Sequence, residues 1–283
     1  GSEKSISPSS EIAVGSLTYG EPLSDCSLSG TFQCEGKNIE GNICWDAPNT
    51  IPSAGTYMAH YTFCPDNLYY MNYRGEAAVT VNKRPLSLST VSIADKTYDG
   101  MTAAGVTDVT FNNAVSGDTI NYTTSSHYAS GNVGIYNVPV TVTLTGASTK
   151  NYNLTNNKIT KEGRITKAVT TVAAQDDIEI LENCSKAYTF NLDSIALEDV
   201  TGNKSAGMCS YCIGAPQGTL SFSSAPVISD NTLSFTTDSS NKEGNFATIP
   251  LTIQSKNYED ISVILTIKAV KKISLTISGI SMI

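Results

Sequence analysis

The segment that decides the fold is Gly134-Ile-Tyr-Asn-Val-Pro-Val-Thr-Val-Thr-Leu144. From Tyr136 onward, apolar side chains alternate with polar ones, and a period of two predicts a β-strand with one buried face. A glycine followed two positions later by an aromatic residue also begins alternating runs at Gly55 and Gly244. We therefore expect three equivalent strands and, with them, an all-β protein.

The same series of motifs follows each of these glycines. An Asn-Tyr pair comes first and a β-branched strand comes next; the pairs are Asn72-Tyr73, Asn151-Tyr152 and Asn257-Tyr258. The repetition predicts three tandem modules over residues 1–84, 85–168 and 169–270, with 271–283 as a terminal strand or the start of a further module. Modules of this size with short alternating strands fit immunoglobulin-like β-sandwiches. Because hardly any linker separates the modules, we expect an elongated molecule.

The tyrosine of the Gly-x-aromatic step has a predicted structural role. In immunoglobulin-like sandwiches, a tyrosine that begins the penultimate strand bonds through its hydroxyl to the backbone of the preceding corner. Tyr57 and Tyr136 suit this role, whereas Phe246 has no hydroxyl. The third module must therefore close this corner by another contact.

Composition and charge exclude several classes of function. The chain has 283 residues, a formal net charge of -8 and only 16% charged residues, which argues against binding to nucleic acid or anionic membranes. Its histidines, His60 and His127, are too few for histidine-based acid–base catalysis or a His-rich metal site. Its apolar runs are far shorter than the ~20 residues of a membrane span. The sequence begins at Gly1 without methionine, which is compatible with a removed signal peptide, so we expect an exported protein.

Seven cysteines fall into two groups. Four lie in the small first module, where they favour two disulfides with three connectivities open: Cys26, Cys34, Cys44 and Cys64. Three lie in the third module, where we expect one disulfide and one free thiol: Cys184, Cys209 and Cys212. The spacing Cys209-Ser-Tyr-Cys212 also allows a redox pair or half of a zinc site, but the helix of a redox motif and a fourth zinc ligand are missing. We therefore predict no metal and no cofactor.

Candidate binding residues lie in the connections, which vary without disturbing a sandwich. Tyr69 and Tyr70 are candidates for contact with a ligand such as a sugar ring. Trp45 resembles the buried tryptophan of sandwich strands, so we expect it in the core. The insert from Thr201 to Gly218, around the paired cysteines, is a second candidate connection.

The second module carries the motifs Lys96-Thr-Tyr-Asp-Gly100, Ser116-Gly-Asp118, Asn132-Val-Gly134 and Asn151-Tyr-Asn-Leu154. Through these motifs it resembles the YDG repeat of bacterial proteins. The first module is similar to the immunoglobulin-like repeats that accompany it, including those called MBG domains, through Tyr19-Gly20, Leu28-Ser-Gly30 and Pro52-Ser-Ala-Gly-Thr-Tyr57. The resemblance implies tandem β-sandwiches on large secreted or cell-surface proteins and carries no catalytic motif. The four cysteines of the first module and the insert of the third depart from it.

These observations together predict a non-catalytic, secreted or cell-surface bacterial protein that acts as a spacer or adhesion element. The alternative is a carbohydrate-binding module protein that serves a glycan-utilisation system. An enzyme is disfavoured because no Ser/His/Asp set, no Cys/His set and no convergent carboxylate motif can be assembled. The expected partner is a surface glycan or a protein, with no nucleic acid and no membrane insertion, and we expect a monomer.

Overall fold

The computed structural model describes residues 5–170 and 174–271, and β-strands dominate this part of the chain. The predicted all-β fold of tandem immunoglobulin-like β-sandwiches is confirmed. Helical structure among the described residues is limited to single turns, of which Ser148–Asn151 (α1) and Glu198–Thr201 (α2) are α-helical. The terminal strand expected over 271–283 lies outside the described residues, apart from Lys271 itself.

The first module forms three sheets from short and long strands. In chain order the strands are β1 (Ser7–Pro8), β2 (Ala13–Val14), β3 (Ser16–Thr18), β4 (Leu28–Ser29), β5 (Phe32–Cys34), β6 (Lys37–Ile39), β7 (Gly41–Trp45), β8 (Gly55–Pro65) and β9 (Tyr73–Asn82). The sheet orders are β1-β5-β6, β2-β4 and β3-β9-β8-β7. The hairpin between β5 and β6 closes on Glu35 and Gly36, whose φ angles of 52° and 76° fit a type I′ turn.

The second module has two sheets. Its strands are β10 (Arg84–Ile93), β11 (Lys96–Thr97), β12 (Val106–Asn112), β13 (Tyr122–Ser126), β14 (Gly134–Leu144), β15 (Tyr152–Leu154) and β16 (Lys158–Thr166). The sheet orders are β12-β10-β15 and β11-β16-β14-β13.

The third module repeats the two-sheet arrangement. Its strands are β17 (Ala174–Leu181), β18 (Ala187–Asn191), β19 (Cys209–Ile213), β20 (Gln217–Gly218), β21 (Phe222–Ser229), β22 (Thr232–Thr237), β23 (Phe246–Ser255) and β24 (Ile261–Val270). The sheet orders are β18-β22-β21 and β17-β24-β23-β19, and β20 also pairs with β23. Asp230 and Asn231, with φ angles of 47° and 58°, close the hairpin between β21 and β22.

One sheet contains the same arrangement of four strands in every module. Its first strand (β3, β11 or β17) pairs in parallel with its last strand (β9, β16 or β24). The penultimate strand (β8, β14 or β23) lies on the other side of the last strand, and a shorter strand completes the sheet. This shared topology explains why the same sequence motifs recur along the chain.

The alternating patterns place the cores as predicted. In β14 the side chains of Val138, Val140 and Val142 are fully buried, while the residues between them are not. Trp45 is buried in the core of the first module. The hydroxyl of Tyr136 donates to the backbone oxygen of Asn132 at 2.7 Å, which is the predicted corner bond. The period-two pattern therefore correctly predicted which faces are buried.

Residue contacts divide the chain into two compact units. The first comprises residues up to 93 together with 105–127 and 138–161, and the second comprises 94–104, 128–137 and the residues from 162 onward. The first module belongs to the first unit and the third module to the second, whereas residues of the second module belong to both. The predicted division at 84 and 168 therefore stays a prediction, although the sheet topology repeats three times.

Candidate functional site

The contact between the first and second modules lies within the first compact unit and is built on two tyrosines. Tyr19 directly follows β3, and Tyr152 begins β15 in the connection between β14 and β16. Their rings meet edge to face, with centroids 5.3 Å apart and planes at 82°. Both hydroxyls donate to Oδ2 of Asp118, at 2.9 Å from Tyr19 and 2.5 Å from Tyr152. One carboxylate therefore joins the ends of two modules.

Burial and this carboxylate change the acidity of the two phenols. Tyr152 is only 3% exposed, and burial, followed by the hydrogen bond to Asp118, raises its pKa to about 12. The pKa of Tyr19 is raised for the same two reasons. Both phenols therefore stay protonated at neutral pH and remain hydrogen-bond donors.

A second set of polar contacts joins the same two modules. Oδ1 of Asn151 accepts a hydrogen bond from the backbone N–H of Ala54 at 3.0 Å. Arg84 donates to the backbone oxygen of Tyr19 at 3.3 Å. The same guanidinium donates to the backbone and side-chain oxygens of Asn113 at 2.7 and 2.9 Å. The aromatic pair is thus flanked by bonds that fix the backbone on both sides.

The contact between the second and third modules lies within the second compact unit and repeats the aromatic pair. Tyr98 directly follows β11, and Tyr258 lies between β23 and β24. Their ring centroids are 5.5 Å apart with planes at 77°. Here the hydroxyls donate to backbone oxygens, Tyr98 to Ser205 at 2.9 Å and Tyr258 to Thr201 at 3.0 Å. Neutral acceptors therefore take the place of the carboxylate.

Asn257 is the polar centre of this second boundary. Its side chain is fully buried. Its Oδ1 accepts the backbone N–H of Val133 at 3.0 Å, and its Nδ2 donates to Oδ1 of Asn132 at 2.9 Å and to the backbone oxygen of Ser205 at 3.1 Å. Because the oxygen and the amino group are both bonded, the amide is buried at little cost.

Both boundaries use the same positions of the repeat. The earlier module contributes the tyrosine after its first strand and the N–H just before its Gly-x-aromatic step. The later module contributes an amide oxygen and a second ring from its Asn-Tyr pair, either Asn151-Tyr152 or Asn257-Tyr258. Sequence reasoning found these dipeptides by their repetition but missed their role, because a dipeptide does not reveal which neighbour it meets.

The first Asn-Tyr pair is placed differently. Tyr73 begins β9 opposite Phe63 and packs against the core of its own module. The regular spacing in the sequence suggested equivalence, but β9 begins directly at this tyrosine whereas β16 begins well after Tyr152. The connection before Tyr73 therefore presents other side chains.

The predicted ligand-binding tyrosines lie in that connection, between β8 and β9. Tyr69 is 97% exposed, as is Leu68, and Met71 is 78% exposed. Tyr70 is half-buried and packs against the core of the module. The structure thus offers the whole side chain of Tyr69 to a partner, but only part of Tyr70.

The predicted insert of the third module borders a cleft of about 670 Å³. Within it, the hydroxyl of Tyr211 donates to Oδ1 of Asp193 at 2.7 Å, and Nδ2 of Asn231 lies 3.4 Å from both oxygens of that carboxylate. Burial, and then the bond to Asp193, raises the pKa of Tyr211. Met208 lies on the lining and is 85% exposed. The cleft combines a carboxylate, an amide and an aromatic ring.

Comparison with known proteins finds a family match for the region of the second module. The YDG domain family matches residues 82–161. No curated protein matches the chain.

Among solved structures, the chain is similar to Drosophila N-cadherin EC1-4, at 8% identity over 95% of this chain and 76% of that chain with a TM-score of 0.33. It is also similar to protocadherin gamma B2 extracellular cadherin domains 1-5, at 10% identity, 97% and 61% coverage and a TM-score of 0.33. A third similar structure is an endo-fucoidan hydrolase from glycoside hydrolase family 107, at 12% identity, 96% and 45% coverage and a TM-score of 0.23. The chain spans less than two thirds of the length of the last two.

The motif Lys96-Thr-Tyr-Asp-Gly100 of the YDG module fixes the corner that carries Tyr98. Nζ of Lys96 bonds to Oδ1 of Asp99 at 2.7 Å and to the backbone oxygen of Met101 at 2.8 Å. Asp99 also accepts the N–H of Met101 at 2.8 Å, and these bonds, led by the one to Lys96, lower its pKa. Gly100 has a φ of 79°, which favours glycine. The motif therefore shapes a turn that presents Tyr98 to the third module.

The four cysteines of the first module lie in two environments. Cys26 and Cys34 are buried in the core. Cys44 and Cys64 alternate with the core-facing residues of β7 and β8 and so lie on the outer face of the sheet. All seven cysteines of the chain are free thiols in the structure. The two disulfides stay a prediction, and their connectivity stays open.

The three cysteines of the third module are well separated. Cys209 and Cys212 both lie in β19, opposite Ser255 and Thr252, so their side chains point to opposite faces. Cys184 follows β17 at the other end of the sheet, roughly 25 Å away along the strands at 3.3 Å per residue. A bridge among them requires the strand to leave its register, and thiol labelling of the denatured, unreduced protein tests whether one forms.

Two features are missing from the described part of the chain. It contains no group of three or more His, Cys, Asp or Glu side chains that could hold a metal ion. It also contains no helix with the length and apolar character needed to cross a bilayer. His60 pairs with Glu76 at 3.3 Å on an exposed strand face.

Proposed function

We propose that the protein is a non-catalytic, exported spacer or adhesion element of a bacterial surface, whose modules are held in tandem by a repeated junction. The observation that carries this proposal is the recurrence, at both boundaries, of one edge-to-face tyrosine pair and one asparagine bonded to the preceding module. A spacer requires modules whose mutual orientation is fixed, and buried aromatic and polar contacts at each boundary serve that requirement.

The connections between modules support the same proposal. β9 ends at Asn82 and β10 begins at Arg84, so a single residue separates the strands of two modules. At the next boundary, Ala168 pairs with Tyr258 two residues after the end of β16. Connections this short leave little freedom for hinge motion. Surface location and the MBG character of the first module rest on the sequence resemblance.

Solution scattering of the full chain tests the spacer proposal. A compact domain of this length has a radius of gyration of ~19 Å, and we expect a clearly larger value. The double variant Tyr98→Ala with Asn257→Ala removes contacts of the second boundary and should broaden the pair-distance distribution from scattering. The control Tyr69→Ala, which alters an exposed tyrosine, should leave this distribution unchanged. A wild-type value near that of a compact domain contradicts the proposal.

A second candidate function, carbohydrate binding, is favoured by the cleft beside Tyr211. Carboxylate and amide groups near an aromatic ring suit the hydroxyls and apolar faces of sugars. A glycan array identifies the ligand, and Asn231→Ala and Tyr211→Phe should each reduce its affinity at least about tenfold, or 1.4 kcal/mol. Asn42→Ala, at an exposed position of β7, is the matched control. Absence of any glycan signal, or equal binding by all three variants, contradicts this function.

A further inference from the structure

The connections between penultimate and last strands differ sharply among the modules. In the second and third modules they carry Tyr152 and Tyr258, which are 3% and 4% exposed and pack against Tyr19 and Tyr98 of the preceding module. In the first module the corresponding connection carries Leu68, Tyr69 and Met71, which are 97%, 97% and 78% exposed. The connection that receives a neighbouring module elsewhere in the chain therefore exposes apolar side chains here, just ahead of its own Asn-Tyr pair.

This connection, called the tip and comprising residues 68–71, is held in a defined shape. Oδ1 of Asn67 accepts the N–H of Tyr69 at 3.0 Å, and the backbone oxygen of Asn67 accepts the N–H of Tyr70 at 3.1 Å. Tyr70 anchors the tip on the core. A connection fixed in this way presents its outward side chains without a large entropic cost of ordering on contact.

We propose that the tip docks the end of another YDG-type module, one that presents a tyrosine directly after its first strand as Tyr19 and Tyr98 do. This inference rests on the proposed spacer function. The ring of Tyr69 would meet that tyrosine edge to face, as Tyr152 meets Tyr19, and Leu68 and Met71 would cover its flanks. The partner is thus another module of the same repeat, and the tip is the receiving half of a further junction.

A second copy of this chain does not supply the required corner from its described residues. Tyr19 and Tyr98 are already covered by Tyr152 and Tyr258. In the third module the residue directly after the first strand, β17, is Glu182 rather than tyrosine. The occupant is therefore a module other than these three.

The test joins a copy of residues 84–167 directly ahead of Ser5, in place of residues 1–4, and keeps the rest of the chain. Peroxide oxidation of methionines, followed by mass spectrometry, reports coverage of the tip through Met71. Met208, which is 85% exposed in the third module, is the internal reference. We expect the oxidation rate of Met71, relative to Met208, to fall at least about fivefold on extension. Tyr98→Ala within the copy should restore the rate.

Two outcomes overturn the proposal. One is an unchanged ratio of Met71 to Met208 oxidation while amide exchange shows that the copy is folded. The other is a copy that stays unfolded beside the first module, because a docked copy would gain the stabilising contacts that the YDG module has with its neighbours. Failure of the spacer function is recognised separately, from scattering of the unextended chain, and does not depend on Met71.

Discussion

The two module boundaries share an aromatic pair but differ in what receives the hydroxyls. At the first, Asp118 accepts both Tyr19 and Tyr152, so the junction depends on a charged group. At the second, Tyr98 and Tyr258 donate to backbone oxygens. The comparison shows that the ring geometry is the constant part of the junction and that its polar part can be either ionic or neutral.

The asparagines at the two boundaries also differ, both in burial and in the groups that they bond. Asn257 is fully buried and uses both its amide oxygen and its amino group, whereas Asn151 is half-buried and its oxygen accepts the N–H of Ala54. The second boundary therefore concentrates its polar stabilisation in one amide. The first distributes it between a carboxylate, an amide and the guanidinium of Arg84.

The largest predicted loss of stability follows from this concentration of hydrogen bonds on Asn257. Asn257→Ala should destabilise the second boundary by about 2–4 kcal/mol, because it leaves buried groups without partners, against about 0.5–1.5 kcal/mol for Asn151→Ala at the first. Amide hydrogen exchange of Val133 and Ala54, the two bonded N–H groups, measures each effect locally. Equal losses of protection would show that the two boundaries do not differ in this way.

Removal of the carboxylate should have an intermediate effect confined to the first boundary. Asp118→Ala deprives two tyrosine hydroxyls of their acceptor and should cost about 1–3 kcal/mol. Asp108→Ala, at an exposed position of the same module, should stay within about 0.5 kcal/mol of wild type. Chemical denaturation measures the loss of stability in each variant, and amide exchange at Ala54 shows whether the loss lies at the first boundary. Loss of protection at Val133 would instead indicate that the boundaries are coupled.

The smallest effect is expected in the alkaline range. The pKa of Tyr152 is raised to about 12 from its ordinary value of 10, so the folded state holds its proton more tightly than the unfolded state. Its contribution to stability is complete below pH 10 and is lost as pH rises to about 12. Asp118→Asn removes the carboxylate's contribution and should lower the pKa of Tyr152 toward 10. Tyrosinate absorbance measured against pH reports this pKa. The pKa of Tyr258, raised first by burial and then by Tyr98, should keep its rise in this variant.

Much of the fold was predictable because period-two patterns depend only on which face is buried. The run from Tyr136 to Leu144 identified β14, and the Gly-x-aromatic step identified the corner bond of Tyr136. The burial of Trp45 followed from the same reasoning. In each of these cases the deciding interactions are local or follow from a single sheet.

The junctions were not predictable because their partners are distant in sequence. Tyr19 meets a carboxylate at Asp118, a residue whose Ser-Gly-Asp context indicates only a turn. Cys209 and Cys212 have a spacing that suggests chemistry, and only their place in β19 shows that they face apart. Such contacts depend on how sheets and modules come together, which the local pattern does not encode.

The parallel pairing of first and last strands has a mechanical consequence. Tension that reaches the first and last strands of this sheet pulls them past each other, so that their hydrogen bonds are loaded in shear and must break together. The first strand of the sheet has 3 residues in the first module, 2 in the second and 8 in the third. Because forced unfolding is governed by the unfolding barrier, this pairing should resist tension best in the third module and yield first in the second.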